Sequence, residues 1–113
     1  MPIKLETVLK RIPNIKNETN RQLIYKYHRY LIARDTSENH QKHNIKIIIK
    51  FSEDINHLSF YDVKSKDIII GFLDKRKKSK QEDPEQKWIT TWNDYLWRIK
   101  MFFRWLYNIK FNI

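Results

Sequence analysis

Apolar residues along this chain recur at intervals of three and four, the spacing that places them on one face of an α-helix. The longest such run covers residues 88–107 and reads WITTWNDYLWRIKMFFRWLY, which includes all four tryptophans. No proline or glycine interrupts it, and its apolar residues do not follow the period of two that is typical of a strand. The pattern predicts a long helix with a wide buried face, covered by other helices.

On a helical wheel this run divides into an apolar face and a polar face. The apolar face is predicted to hold Trp88, Ile89, Trp92, Tyr95, Leu96, Ile99, Phe102, Phe103, Leu106 and Tyr107. The polar face is predicted to hold Thr90, Thr91, Asn93, Asp94, Arg98, Lys100 and Arg104. Three further apolar residues, Trp97, Met101 and Trp105, are spaced four apart among the charges. Their first interpretation is a second packing stripe, and the alternative is a contact surface for a partner.

The same periodicity predicts four shorter helices, over residues 3–12, from residue 18 or 20 to residue 34, over 38–55 and over 66–77. Pro13 ends the first helix, and the hydroxyls of Thr36 or Ser37 and of Ser65 can cap the third and the fourth.

The start of the long helix has two alternatives. Asp83 as cap followed by Pro84 is a strong start signal, so the helix is predicted to begin near Pro84, with Thr90 or Thr91 as the other choice. Gly71 lies inside the fourth helix, where it costs about 1 kcal/mol relative to alanine, and this predicts a packing reason for it. Together the elements predict an all-α fold, a compact bundle of about five helices forming one domain over residues 1–113.

Charge favours a polyanionic partner. The chain has 23 Lys and Arg against 13 Asp and Glu, a formal net charge of +10. Nucleic acid is the first partner this predicts, and an anionic membrane surface the second. No apolar run approaches the roughly 20 residues of a membrane span. The chain has no cysteine, which excludes disulfides and thiolate zinc sites and fits a cytoplasmic protein.

Two stretches carry much of this charge. Residues 75–82 contain no apolar residue and predict an exposed, mobile loop that could drape over a polyanion. On the third helix, lysines at four-residue spacing form a positive ridge with acids only at its far end, at Glu53 and Asp54. Phosphate binding and an ordinary solvated face remain open as its explanation. The outward arc of that helix is predicted to hold Asn39, Lys42, His43, Lys46 and Lys50.

The chain offers no predicted catalytic site, metal site or cofactor. His40 and His43 are three residues apart, but no third ligand is evident, and a basic helix face disfavours zinc. Serines lie in loops or caps rather than in a nucleophile elbow. Carboxylates are scattered among Lys and Arg, without an apolar setting that would separate the pKa values of a pair.

At the level of motifs the chain resembles the N-terminal core-binding domain of tyrosine recombinases, and most of all the archaeal integrases of the Xer type. The resemblance covers essentially the whole chain, and its most specific part is the segment FFRWLY at residues 102–107. The other matching positions are Asp62-Val63, Asp67-Ile68, Phe72-Leu73-Asp74, Asp83-Pro84, Lys87-Trp88-Ile89, Thr91, Asn93 and Leu96.

The resemblance implies a SAM-like helical domain that clamps one face of duplex DNA. In that family a separate C-terminal domain carries the Arg, His and Tyr residues that cut and rejoin strands. No such domain follows Asn112-Ile113, which fits either an excised domain or a product that lost its catalytic half. The implied partners are double-stranded DNA, a catalytic domain, and further copies of the protein in a recombination synapse.

The family contacts DNA through the N-terminal halves of two helices, which correspond here to the third helix and the long one. The implied contacts are Thr36, Ser37, Asn39, Lys42, His43 and Lys46, continued by Lys50, and then Lys87, Thr90, Thr91, Asn93, Asp94 and Arg98. The phosphate anchors among them are Lys42, Lys46, Lys87 and Arg98. The residues suited to base edges are Asn39, His43 and Asn93.

A different class of function remains as the alternative. A small helical interaction or regulatory protein could use Trp97, Met101 and Trp105 as its partner surface. An enzyme complete within these residues has the least support, because no catalytic constellation is present.

Overall fold

The computed structural model describes residues 3–56 and 58–111, except for the side chains of 109–111. Within these ranges every regular element is helical, which confirms the all-α prediction. The α-helices are α1 (Leu5–Leu9), α2 (Glu18–Ala33), α3 (Glu38–Ile55), α4 (Lys66–Asp74) and α5 (Trp88–Phe111), and short 3-10 helices cover Ile12–Asn14 and Phe60–Asp62.

The chain divides into two compact units, Met1–Val63 and Lys64–Ile113. In the first unit α3 is the central element, because both α1 and α2 pack against it. Its inward side is made of isoleucines, and Ile45 and Ile48 are fully buried there. Phe51, also fully buried, stacks on Phe60 with 6.2 Å between ring centroids. The helix that carries the predicted lysine row therefore also carries the centre of this core.

A buried amide ties the segment after α3 to α2. Asn20 is fully buried, and its Nδ2 donates a hydrogen bond to the Leu58 carbonyl at 3.0 Å. Its Oδ1 accepts one from the backbone N–H of Phe60 at 2.8 Å. The amide oxygen and the amide nitrogen each have a hydrogen-bond partner, and these bonds offset the free-energy cost of burying the polar side chain.

The ends of α2 and α3 follow local hydrogen-bonding rules. The Oδ1 of Asn17 caps α2 by accepting from the backbone N–H of Asn20, so this helix begins at Glu18, one of the two predicted starts. Ser37 caps α3 by accepting from the backbone N–H of His40 at 3.1 Å. The bounds predicted for α3, residues 38–55, are confirmed.

The second unit is formed by α4 packing against α5. Phe72 of α4 is buried and stacks on Tyr95 of α5, with 6.3 Å between ring centroids. At the other end of the contact the indole Nε1 of Trp92 donates to the Asp74 carboxylate at 3.2 Å. These two cross-helix contacts lie at the N-terminal half of α5.

The prediction that the long helix begins near Pro84 is wrong, and so is the alternative start at Thr90 or Thr91. The helix begins at Trp88. The Asp83 carboxylate does act as a cap, but it accepts its hydrogen bond from the backbone N–H of Trp88, five residues on. Between them Gln86 has a φ of 54°, a left-handed conformation that a right-handed helix cannot contain.

Two other helices are shorter than predicted. α1 ends at Leu9 rather than at residue 12, because Ile12–Asn14 forms a separate 3-10 helix that has Pro13 in its first turn. α4 ends at Asp74 rather than at residue 77. The prediction that tight packing requires a glycine at position 71 is also wrong, because a Cβ built on Gly71 meets no atom within 4 Å.

The buried side of α5 differs from the predicted face at both of its edges. Ile89 and Tyr107 were assigned to the apolar face but are 44% and 39% exposed. Trp105 was placed among the charges but is only 7% exposed. Its ring lies 5.7 Å from that of Phe102, so the prediction of a packing role is confirmed for this one tryptophan.

Candidate nucleic-acid interface

The outward side of α3 gathers the predicted contacts of the first unit. At about 100° per residue, five of them fall within an arc of about 100° around the helix axis. Asn39 is exposed, and the other four are half-buried. For the lysines this is expected, because their aliphatic stems lie along the helix while the ammonium groups reach water. The five are Asn39, Lys42, His43, Lys46 and Lys50.

The electrostatic setting of this row differs along its length. Within the described ranges neither Lys42 nor Lys46 forms an ion pair. Glu53 and Asp54 lie on the same side of α3, but only in its last turn. The first turn of α3 carries one acid, the exposed Glu38, which forms no ion pair with Lys42. The ammonium groups of Lys42 and Lys46 are thus left to solvent.

One flank of the row borders a surface groove. Asn39 and Lys42 line a cavity of about 750 Å³ together with residues of α1, among them Leu5 and Leu9. Lys4 brings a positive charge to it, and Glu6 and Glu38 bring negative charges. The groove therefore adds no net positive charge to the lysine row.

The two hydroxyl residues before α3 already have structural partners. The Thr36 hydroxyl donates to the carbonyl of Leu31 at 2.8 Å and closes the C-terminal end of α2. The Ser37 hydroxyl is the cap of α3. Both lie beside the N-terminal end of the lysine row, although their first role is to shape the turn between the two helices.

The predicted contacts on α5 do not share one side of that helix. Thr91 and Asn93 are two residues apart and therefore point about 160° away from each other around the axis. Thr90 lies on the side of Asn93, and Arg98 lies on the side of Thr91. Lys87 precedes the helix, is exposed, and has its Nζ 3.2 Å from the carboxylate of Glu85.

Arg98 is the predicted phosphate anchor that the structure removes from the surface. Its side chain is only 14% exposed, and its Nε donates to the Asp94 carboxylate at 3.0 Å. Its guanidinium carbon lies 5.9 Å from the ring centroid of Trp97. The position lies at the edge of the buried side of α5, which the division into two faces did not resolve.

A basic groove that was absent from the predicted site lies in the second unit. It has a volume of about 360 Å³ and runs between the loop after α4 and the start of α5. Of the predicted contacts it includes only Lys87 and Thr91. Its lining residues are Lys75, Arg76, Lys78, Glu82, Asp83, Lys87, Trp88 and Thr91.

The loop that forms one wall of this groove has a definite hydrogen-bonding pattern. The Ser79 hydroxyl accepts from the backbone N–H of Glu82 at 3.2 Å and lies 3.2 Å from a Glu82 carboxylate oxygen, to which it donates. The backbone N–H of Asp83 donates to the Ser79 carbonyl at 2.9 Å. Most of the segment 75–82 is exposed, as predicted. The prediction did not include the pairing of a serine with a glutamate three residues on, which is the pattern of a capping box.

The three residues of the alternative partner surface are not exposed together. Trp97 is 49% exposed, Met101 is half-buried and Trp105 is 7% exposed. Only Trp97 presents a large apolar area to solvent, because Trp105 lies on the buried side of α5.

No three His, Asp or Glu side chains in the described part of the chain are grouped so as to hold a metal ion. None of the helices described has both the length and the apolar character needed to cross a membrane.

Comparison with protein-family models, with curated proteins and with solved structures gives no match to this chain. The resemblance to tyrosine recombinases therefore depends on the sequence motifs themselves.

Proposed function

We propose that this chain is the DNA-binding module of a tyrosine site-specific recombinase, which holds duplex DNA while a separate catalytic domain carries out strand exchange. The observation that supports it most directly is the row formed by Lys42 and Lys46 on α3, solvated and without ion pairs within the described residues. The motif resemblance points to the same helix. On this proposal the protein acts on DNA in the cytoplasm.

The row has the two kinds of group that duplex recognition needs. Lysine ammonium groups neutralise phosphates and release condensed counterions, which supplies affinity without sequence preference. Asn39 and His43, on the same side of α3, have donor and acceptor groups that suit base edges in the major groove. The formal net charge of +10 adds long-range attraction to DNA.

Duplex titration at two or more salt concentrations tests the proposal. Binding should weaken steeply as salt rises, and the Lys42→Glu/Lys46→Glu double variant should lose it while its helical circular dichroism stays intact. The matched control is Lys16→Glu/Lys26→Glu, which changes net charge equally at two exposed lysines outside the row. Unchanged affinity in the first variant, or equal loss in both, would contradict a specific role for the row.

A strand-cleavage assay on the same duplexes tests the division of labour. No turnover is expected, because the proposal assigns the chemistry to a separate catalytic domain. Cleavage by this chain alone would overturn that assignment.

A further inference from the structure

We infer, on the basis of the proposed function, that the groove between the loop after α4 and the start of α5 binds a phosphate group of the DNA backbone, as a second contact site separate from the α3 lysine row. Four cationic side chains line it against two carboxylates. The cations are Lys75, Arg76, Lys78 and Lys87.

Arg76 lies over two aromatic rings beside the groove. Its guanidinium carbon lies 4.6 Å from the ring centroid of Phe72 and 5.4 Å from that of Tyr95. Stacking of this kind uses the face of the guanidinium and leaves its N–H edge for an oxyanion. Because the two rings also stack on each other, the arginine is positioned by the contact between α4 and α5.

The two carboxylates of the groove are engaged in holding its walls. Asp83 accepts the backbone N–H of Trp88, and Glu82 accepts the hydroxyl of Ser79. The hydrogen bond from Trp88 is the main cause that lowers the pKa of Asp83, and the charges of Lys78 and Lys87 lower it further. Lys78 precedes Asp83 in the chain and Lys87 follows it, and the charges of both act on the Asp83 carboxylate.

Lys87 and Thr91 add two more polar groups to the groove. Lys87 pairs with Glu85, but both side chains are more than 70% exposed, and such pairs contribute little in water. An incoming phosphate can therefore compete for the Lys87 ammonium. Thr91 is exposed on the first turn of α5 and brings a hydroxyl donor to the same groove.

The shape of the groove favours a polymer over a small enclosed ligand. Lys75, Lys78, Lys87 and Thr91 are all exposed, so the groove is open along its length. Sites for small molecules enclose most of the ligand surface with apolar walls, and Trp88 is the one apolar side chain in the lining described. A backbone phosphate lying across the groove needs neither enclosure nor apolar walls.

The basic run at residues 75–80 contains its own control. Lys75 and Lys78 line the groove, whereas Lys77 and Lys80 of the same run do not. All four are exposed. Lys75→Gln/Lys78→Gln and Lys77→Gln/Lys80→Gln therefore remove the same charge from the same loop, but only the first pair removes lysines of the groove. The control also removes the pair of Lys77 with Asp74, whose two side chains are exposed, so that its loss should change stability little.

Duplex affinity should be measured for wild type and both double variants over a series of salt concentrations. We expect Lys75→Gln/Lys78→Gln to make the negative slope of log K against log salt less steep by about 1. We also expect it to weaken binding several-fold more than its control does. If the two variants weaken binding equally while wild type binds duplex normally, the groove is not a phosphate-binding site, and the proposed function still holds. Absence of wild-type binding would overturn both.

Amide and indole NMR signals supply a readout that does not depend on net charge. Duplex should shift the signals of Thr91 and of the Trp88 indole in wild type and in the Lys77→Gln/Lys80→Gln control, and much less in Lys75→Gln/Lys78→Gln. Single-stranded oligonucleotide and sodium phosphate serve as the comparison arms. Stronger shifts with sodium phosphate than with duplex would overturn the assignment to the DNA backbone.

Discussion

The carboxylate of Asp83 accepts a hydrogen bond from the backbone N–H of Trp88, with 2.9 Å between Oδ2 and N. This contact fixes where α5 begins and folds the preceding turn back on the helix end. The same turn holds Gln86 in its left-handed conformation, from which the Gln86 Nε2 donates to the Asp83 carbonyl at 2.8 Å.

Asp83 should make the stability of the protein depend on acid pH. The pKa of its carboxyl is below the ordinary value, chiefly because of the Trp88 hydrogen bond. A group with a depressed folded-state pKa stabilises the fold above its unfolded-state pKa, and this stabilisation is lost as pH falls through the folded-state value. Asp83→Ala should thus lower the Tm at neutral pH, and its difference from wild type should shrink in the acid range.

Thermal melts from pH 7 down to acid pH check this expectation, with Glu85→Ala as the control. Glu85 is a nearby carboxylate in an exposed ion pair, so its removal should change the Tm little at any pH. A gap between Asp83→Ala and wild type that stays constant with pH would contradict the role of the charged carboxylate.

Replacing Asn20 with alanine should destabilise the first unit strongly. The change leaves the backbone N–H of Phe60 without its partner in a buried position, which costs about 1–3 kcal/mol beyond the loss of packing. Urea unfolding measures the effect. Asn39→Ala is the same substitution at an exposed position of α3 and should stay within about 0.5 kcal/mol of wild type; similar losses in the two variants would argue against the buried amide.

Gly71→Ala should stabilise the second unit. The added methyl group meets nothing within 4 Å, and alanine is favoured over glycine inside a helix by about 1 kcal/mol. The test is the midpoint of urea unfolding at an unchanged m-value, which should rise. A lower midpoint would mean that the backbone at this position needs the freedom of glycine after all.

Trp105 and Trp97 should respond differently to truncation, although both lie on α5. Trp105→Ala removes a buried ring and should cost about 3–5 kcal/mol, whereas Trp97→Ala, at a half-exposed site, should cost much less. Unfolding experiments distinguish the two. Sedimentation of the Trp97→Ala variant tests the interaction alternative, because a drop in self-association would favour a partner surface at this residue.

The sequence allowed the prediction of those elements whose limits depend on neighbouring residues. Ser37 caps α3 through the backbone N–H of His40, and isoleucines at intervals of three and four form its inward side. Both signals lie within one or two helical turns, so the bounds of α3 were predicted correctly. The lysine row on its other side follows from the same periodicity.

The start of α5 was predicted wrongly because its local sequence signal is compatible with more than one backbone conformation. Asp83 followed by Pro84 satisfies the rules for a helix start, yet the carboxylate reaches the N–H of Trp88 through a turn that a linear pattern does not encode. The assignment of Trp105 and Arg98 to the polar side failed for another reason. Residues at the edge of a helical face are buried or exposed according to what packs against them, which a wheel does not contain.

The helix α3 carries the core of the first unit on one side and the lysine row on the other, and this has a consequence for its length. Inserting a single residue after Asn44 would move Lys46 into the place of Ile47, which is 4% exposed, and Lys50 into that of Phe51, which is fully buried. The ammonium groups of Lys46 and Lys50 would then lie in the core, and the outward side of α3 would lose them. The spacing of residues in this helix therefore constrains the core and the lysine row together, so an insertion or deletion there should disrupt the fold and, on the proposed function, DNA binding as well.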